Sequence, residues 1–162
     1  MKRLLAAFLI FSSLLAWSPD GWSAELPSPE EYFRFTPGAD RMLIDYEDLI
    51  GYLHQLDDAA EGMRMEEIGR SPLGRKMYVV FISSKKNIDS LETLTEINRA
   101  LALDNEMSDS KRESLIEKGR VFFTATLSMH SSELAPSQAA PLIAYRLLAE
   151  KDKKIERWME DV

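Results

Sequence analysis

His130-x-x-Glu133 sets an imidazole and a carboxylate three residues apart, where an apolar run ends and a helical pattern begins. Both groups bind zinc at ~2.0–2.2 Å, and catalytic zinc sites often combine two His with one Glu and leave the fourth position to water. This spacing across a turn lets both side chains point at one ion. Water on such an ion loses its proton near neutral pH and can attack a carbonyl. The same two residues have a plainer reading. His130 would be the polar end of a strand, and Glu133 an acidic residue in the first turn of a helix, where the helix dipole favours negative charge. Spacing alone leaves both open.

The remaining composition narrows the chemistry. With no cysteine, the chain has no disulfide framework, no thiol nucleophile and no cysteine-held metal. Any metal must sit on His and carboxylate groups, and the only other histidine is His54. That residue falls on the polar side of a helical stretch and reads as solvated. A net charge of −7, with no Lys/Arg cluster free of neighbouring acids, argues against a nucleic-acid partner. Gly69 and Gly74 mimic the spacing of a phosphate-binding loop, but Arg75 stands where its lysine belongs and Lys76 where its Ser/Thr belongs. That loop would also lead into a helix, whereas this one leads into a strand pattern.

Several elements must position the pair. Tyr46, Leu49, Ile50, Leu53, Leu56 and Ala60 recur at helical spacing, predicting an amphipathic helix over 44–60 that ends at Gly62. "MRMEEIG" and "KMYVVFIS" read as strands, joined by the turn chemistry of "GRSPLGR". "IDSLETLTEINRALAL" and "MSDSKRESLIEKG" read as two helices, the second capped by Ser108 or Asp109. "VFFTATLSM" is β-prone and almost continuously apolar, the pattern of an interior strand covered on both faces. Helical spacing resumes near Pro136, and "KKIERWMEDV" predicts a last helix. The stretch "ELPSPEEYFRFTPGADR" before all this reads as an irregular lead-in. The order implies an α/β fold, a mixed β-sheet flanked by helices. A length of 162 residues and 45% hydrophobic content suffice for one core.

The N-terminus carries a different signal. Lys2 and Arg3 precede an uncharged apolar stretch from Leu4 to Trp17, too short to span a bilayer comfortably. Residues 1–24 therefore read as a secretory signal peptide, with cleavage after Ala24 or Ser18. The expected location is secreted or periplasmic, with no stable membrane span once the signal is removed.

Two motifs in order give the chain a family likeness. "IGRSPLGRKMYVVFIS" resembles the opening hairpin of the zinc carboxypeptidase (metallocarboxypeptidase) family, and "MHSSELAPSQAAPLIAYRL" resembles its His-x-x-Glu zinc motif with the following helix. The helix over 44–60 stands where the family has its first helix, and the likeness runs from about Tyr32 to Val162. It implies that residues 25–162 are the N-terminal portion of a metallocarboxypeptidase-like (phosphorylase/hydrolase-like) catalytic domain, with a helical insertion over 85–119. It implies Zn2+ as cofactor, His130 and Glu133 as its first two ligands, and a peptide or protein as substrate. Ser132 stands where members often have an arginine that helps bind substrate. The family's third ligand, its catalytic glutamate and its carboxylate-gripping arginine have no counterpart here, so the chain reads as truncated before them, with no catalytic residue of its own. The implied activity is zinc-dependent peptide hydrolysis in the intact family member. The alternative is a non-catalytic remnant or binding module that keeps the fold.

Overall fold

The lead-in is less irregular than its prolines suggest. In a computed structural model, which describes residues 26–130 and 132–162, it contains a one-turn helix, α1, Pro29–Phe33. Ser28 accepts the Glu31 amide while the Glu31 carboxylate accepts the Ser28 amide, a reciprocal cap. Pro29 starts the helix, where its missing N–H costs nothing. The expected signal peptide, residues 1–24, lies outside the described residues.

The expected amphipathic helix is α2, Tyr46–Ala59, with the Asp45 side chain accepting the Asp48 amide at its start. It buries Tyr52, Leu53 and Leu56. These pack with Met63 and Ala144 into the main core, and Tyr32 and Phe33 cover it from α1. The Tyr52 ring lies 5.1 Å from Tyr32 and 5.2 Å from Phe33, both tilted, as aromatic contacts prefer. The buried Tyr52 hydroxyl donates to the Pro27 carbonyl at 2.9 Å.

The two expected strands form an antiparallel hairpin, β1 Met63–Arg70 and β2 Lys76–Ile82. Its turn closes through the Ser71 amide on the Arg75 carbonyl and the Gly74 amide on the Ser71 carbonyl, both 2.8 Å. Gly74 takes φ +78°, a left-handed conformation that glycine adopts without a Cβ penalty. The hairpin turn confirms that this glycine pair serves chain reversal.

Three helices follow: α3 Lys85–Asp89, α4 Leu91–Leu103 and α5 Asp109–Lys118. Sequence spacing predicted one helix over 88–103; it is α4, with the short α3 before it and a break at Ser90. Ser108 caps α5 by accepting the Lys111 amide. Ile88, Leu91, Leu94, Ile97 and Met107 are buried beneath them. The last elements are α6, Leu134–Ala149, which continues through the fully buried Pro141, and α7, Lys153–Asp161. Among the described residues no helix is long and apolar enough to cross a membrane.

Ser83 and Asn87 tie the end of α7 to the end of β2. The Ser83 hydroxyl lies 2.8 Å from the Met159 carbonyl and 2.6 Å from that of Val162. The Asn87 amide nitrogen reaches the carbonyls of Met159 and Glu160 at 3.2 and 3.1 Å. The last carbonyls of a helix lack intrahelical partners, and these buried donors supply them.

The α/β class with a sheet flanked by helices holds, but the expected third strand does not form. Among the described residues the sheet has two strands, and 121–129 carries neither helix nor strand. Val121 is 69% exposed, Phe123 83% and Met129 75%. The start of the segment is held where the Asn98 side chain donates to the Arg120 carbonyl at 2.9 Å and Phe122 meets Phe81 edge-on at 6.5 Å. A strand covered on both faces needs a neighbour at each edge. The described residues supply none, so the β-prone composition has nothing to pair with.

Candidate metal centre

Residues 128–133 turn the chain from the exposed segment into α6. Ser128 takes φ +80°, unusual for a residue with a side chain, and its hydroxyl donates to the Glu133 carbonyl. The Glu133 amide donates to the His130 carbonyl at 3.0 Å. This tight reversal brings the two candidate ligands together, with His130 Nδ1 and Glu133 Oε1 2.8 Å apart. The other carboxylate oxygen accepts the His130 amide at 3.3 Å.

Glu133 is the N-cap residue of α6, one position earlier than an ordinary first-turn acid, and its side chain makes no capping bond. The carboxylate turns back onto His130. The plainer reading, a first-turn acid facing the helix dipole, does not describe where this group points.

The pair stays open to solvent, its side chains 69% and 49% exposed. The hydrogen bond from His130, with help from the His130 amide, holds the Glu133 carboxyl below the usual carboxylate range. A glutamate held anionic beside an imidazole nitrogen is a fitting donor set for zinc, whose ligands must bind deprotonated. Nδ1 and Oε1 face each other across a hydrogen bond, so holding one ion between them would require the imidazole to give up its Nδ1 proton as the side chains part. Among the described residues no group of three or more His, Cys, Asp or Glu side chains converges, so no third such side chain joins the pair.

His54 is far from this in role. It is exposed on α2, its ring edge-on to Tyr78 at 5.3 Å. The solvated reading of His54 agrees with that position.

Two residues near the site were not singled out from sequence. Ser128 gives no local signal, because a non-glycine residue in the left-handed region is set by the turn it closes. Gln138 does give one. It sits one turn after Leu134 and three residues before Pro141, a polar side chain on the buried stripe of α6. Its carboxamide accepts the Ile44 amide at 2.8 Å and donates to the Ile44 carbonyl at 3.0 Å, both inside the protein.

A family model described as zinc carboxypeptidase matches residues 49–162, a span that takes in both the hairpin and the His130–Glu133 turn. No curated protein and no solved structure matches the chain.

Proposed function

This chain belongs to the zinc carboxypeptidase family, and on that premise we propose that it binds zinc through His130 Nδ1 and Glu133 to serve peptide hydrolysis. The observation that carries this reading is the 2.8 Å approach of the imidazole to the carboxylate, on a solvent-open turn inside the matched span. When bound, zinc supplies Lewis acidity and a water that ionises near neutral pH. The rest falls to the chain's own groups. His130 and Glu133 would hold the ion, and Ser128 fixes the backbone between them. The substrate is a peptide or protein, with Ser132 at a position where the family often uses arginine to grip it. The Lys2-Arg3 start and the apolar run after it favour a secreted or periplasmic setting.

Two protein ligands hold zinc less firmly than three, and among the described residues no further acid joins the pair to act as base. The chain by itself is therefore expected to bind zinc and to hydrolyse peptides slowly or not at all. The test is a calorimetric zinc titration of the purified chain, with peptide hydrolysis followed on the same samples. One zinc bound, and lost in both His130→Ala and Glu133→Ala, supports the ligand assignment. Undiminished zinc binding in both variants refutes it. Zinc binding with little or no hydrolysis is the expected result, and brisk hydrolysis abolished by His130→Ala overturns the expectation of low activity.

A further inference from the structure

The turn bearing His130 and Glu133 is almost unsupported from beneath. From Phe123 to Ala135 every described residue is exposed except Ser128, which is half-buried. On the N-terminal side the last packed group is Phe122, against Phe81. On the C-terminal side the first buried residue is Gln138. The start of α6 has no side-chain cap to hold it, since Glu133 is committed to His130. A helix end without a cap frays unless packing holds it.

Gln138 provides that hold in an unusual way. Its carboxamide pairs with both backbone groups of Ile44, accepting at 2.8 Å and donating at 3.0 Å. Ile44 is itself buried and directly precedes Asp45, the residue that caps α2. The clasp therefore fastens the first turns of α6 to the start of the helix that carries most of the core.

We propose that Gln138 is a positioning residue: its clasp on Ile44 fixes the beginning of α6, and through it keeps Glu133 against His130. This rests on the reading of that pair as zinc ligands, but its geometry can be tested without metal. A merely structural Gln138 would satisfy the Ile44 backbone and lower the stability of the whole molecule evenly when removed. A positioning Gln138 would release the turn while the core of α2 stays closed.

The experiment uses the full chain, metal-free, as wild type, Gln138→Leu and Gln138→Asn. Three quantities are read by NMR: amide exchange at Ile44, amide exchange at Tyr52 and Leu56, and the Overhauser contact between the His130 ring and the Glu133 side chain. In both variants Ile44 exchange should rise at least about tenfold, as a lost buried hydrogen bond opens that site locally. The His130–Glu133 contact should disappear, with Tyr52 and Leu56 still protected. The proposal is overturned if the contact persists in the variants or is missing from the wild type. It is likewise overturned if Tyr52 and Leu56 exchange accelerates by the same factor as Ile44, or if neither variant folds. Zinc titration of the same samples separates the two questions. A wild type that shows the contact but takes up no zinc rejects the ligand assignment and leaves the clasp standing.

Discussion

Gly62→Ala should destabilise the protein even though Gly62 lies in a turn, where alanine is usually tolerated. An ideal Cβ on Gly62 would lie 2.8 Å from the Ser83 carbonyl oxygen, closer than real Cβ atoms come. Leu148 Cδ2 and Met159 Cε stand behind it at 3.5 and 3.7 Å, so the methyl has no open side to turn into. The carbonyl cannot yield cheaply. The Ser83 amide donates to the Gly62 carbonyl at 3.0 Å, and its hydroxyl reaches the Met159 carbonyl at 2.8 Å. The next amide, Ser84, also donates to Met159, at 2.8 Å. Moving Ser83 by several tenths of an ångström thus strains the end of the hairpin and the end of α7 together. Overpacking of this kind costs ~1–3 kcal/mol, and weakening one hydrogen bond adds ~1 kcal/mol. Against this, alanine in place of glycine lowers unfolded-chain entropy and returns ~0.4–1 kcal/mol. The net loss is about 2 kcal/mol, or a fall in Tm of roughly 4–8 °C for a chain of this size. Thermal and urea unfolding followed by far-ultraviolet circular dichroism would measure it. A Tm equal to or above wild type would refute the reasoning, because it would mean that Ser83 moves freely and does not lock β2 to α7.

Other substitutions probe the remaining elements. Zinc at a hundredfold excess over Kd should stabilise the wild type by ~2.7 kcal/mol, a rise of about 5–10 °C in a fluorescence melt; His130→Ala should abolish the rise and leave the metal-free Tm nearly unchanged, since the pair is exposed. Phe123→Asp should change the urea-derived stability by no more than about 0.5 kcal/mol, because Phe123 is exposed; a loss of several kcal/mol would restore the interior-strand reading of 121–129. Burial raises the Asp57 carboxyl, outweighing the Met65 amide that it accepts. The folded state thus holds the Asp57 proton to higher pH than the unfolded chain does, and stability falls as pH rises through that window. Asp57→Asn should accordingly match wild type near pH 3 and exceed it at pH 7 in chemical unfolding, and a gain of equal size at both pH values would disprove the assignment.

What local sequence encodes came through well. The helical spacing of Leu49, Leu53 and Leu56 predicted α2, because an amphipathic face is a property of neighbours a turn apart. The glycines of "GRSPLGR" predicted the hairpin reversal, because φ +78° at Gly74 is a local demand. The capping box at Ser28 and Glu31 was equally local, but the surrounding prolines drew the reading toward irregular chain. Tyr52 shares that face, three residues after Leu49 and four before Leu56, but its contacts with Tyr32 and Phe33 come from another helix and could not be read from spacing. The pairing of His130 with Glu133 was legible as a spacing, whereas its orientation, with the carboxylate turned away from α6 onto the imidazole, was settled by the reversal at Ser128. The segment 121–129 marks the boundary most clearly. Its residues state a preference for pairing as a strand, but whether a strand forms depends on edges that other parts of a fold must bring, and hydrophobicity along a chain cannot report who its neighbours in space will be.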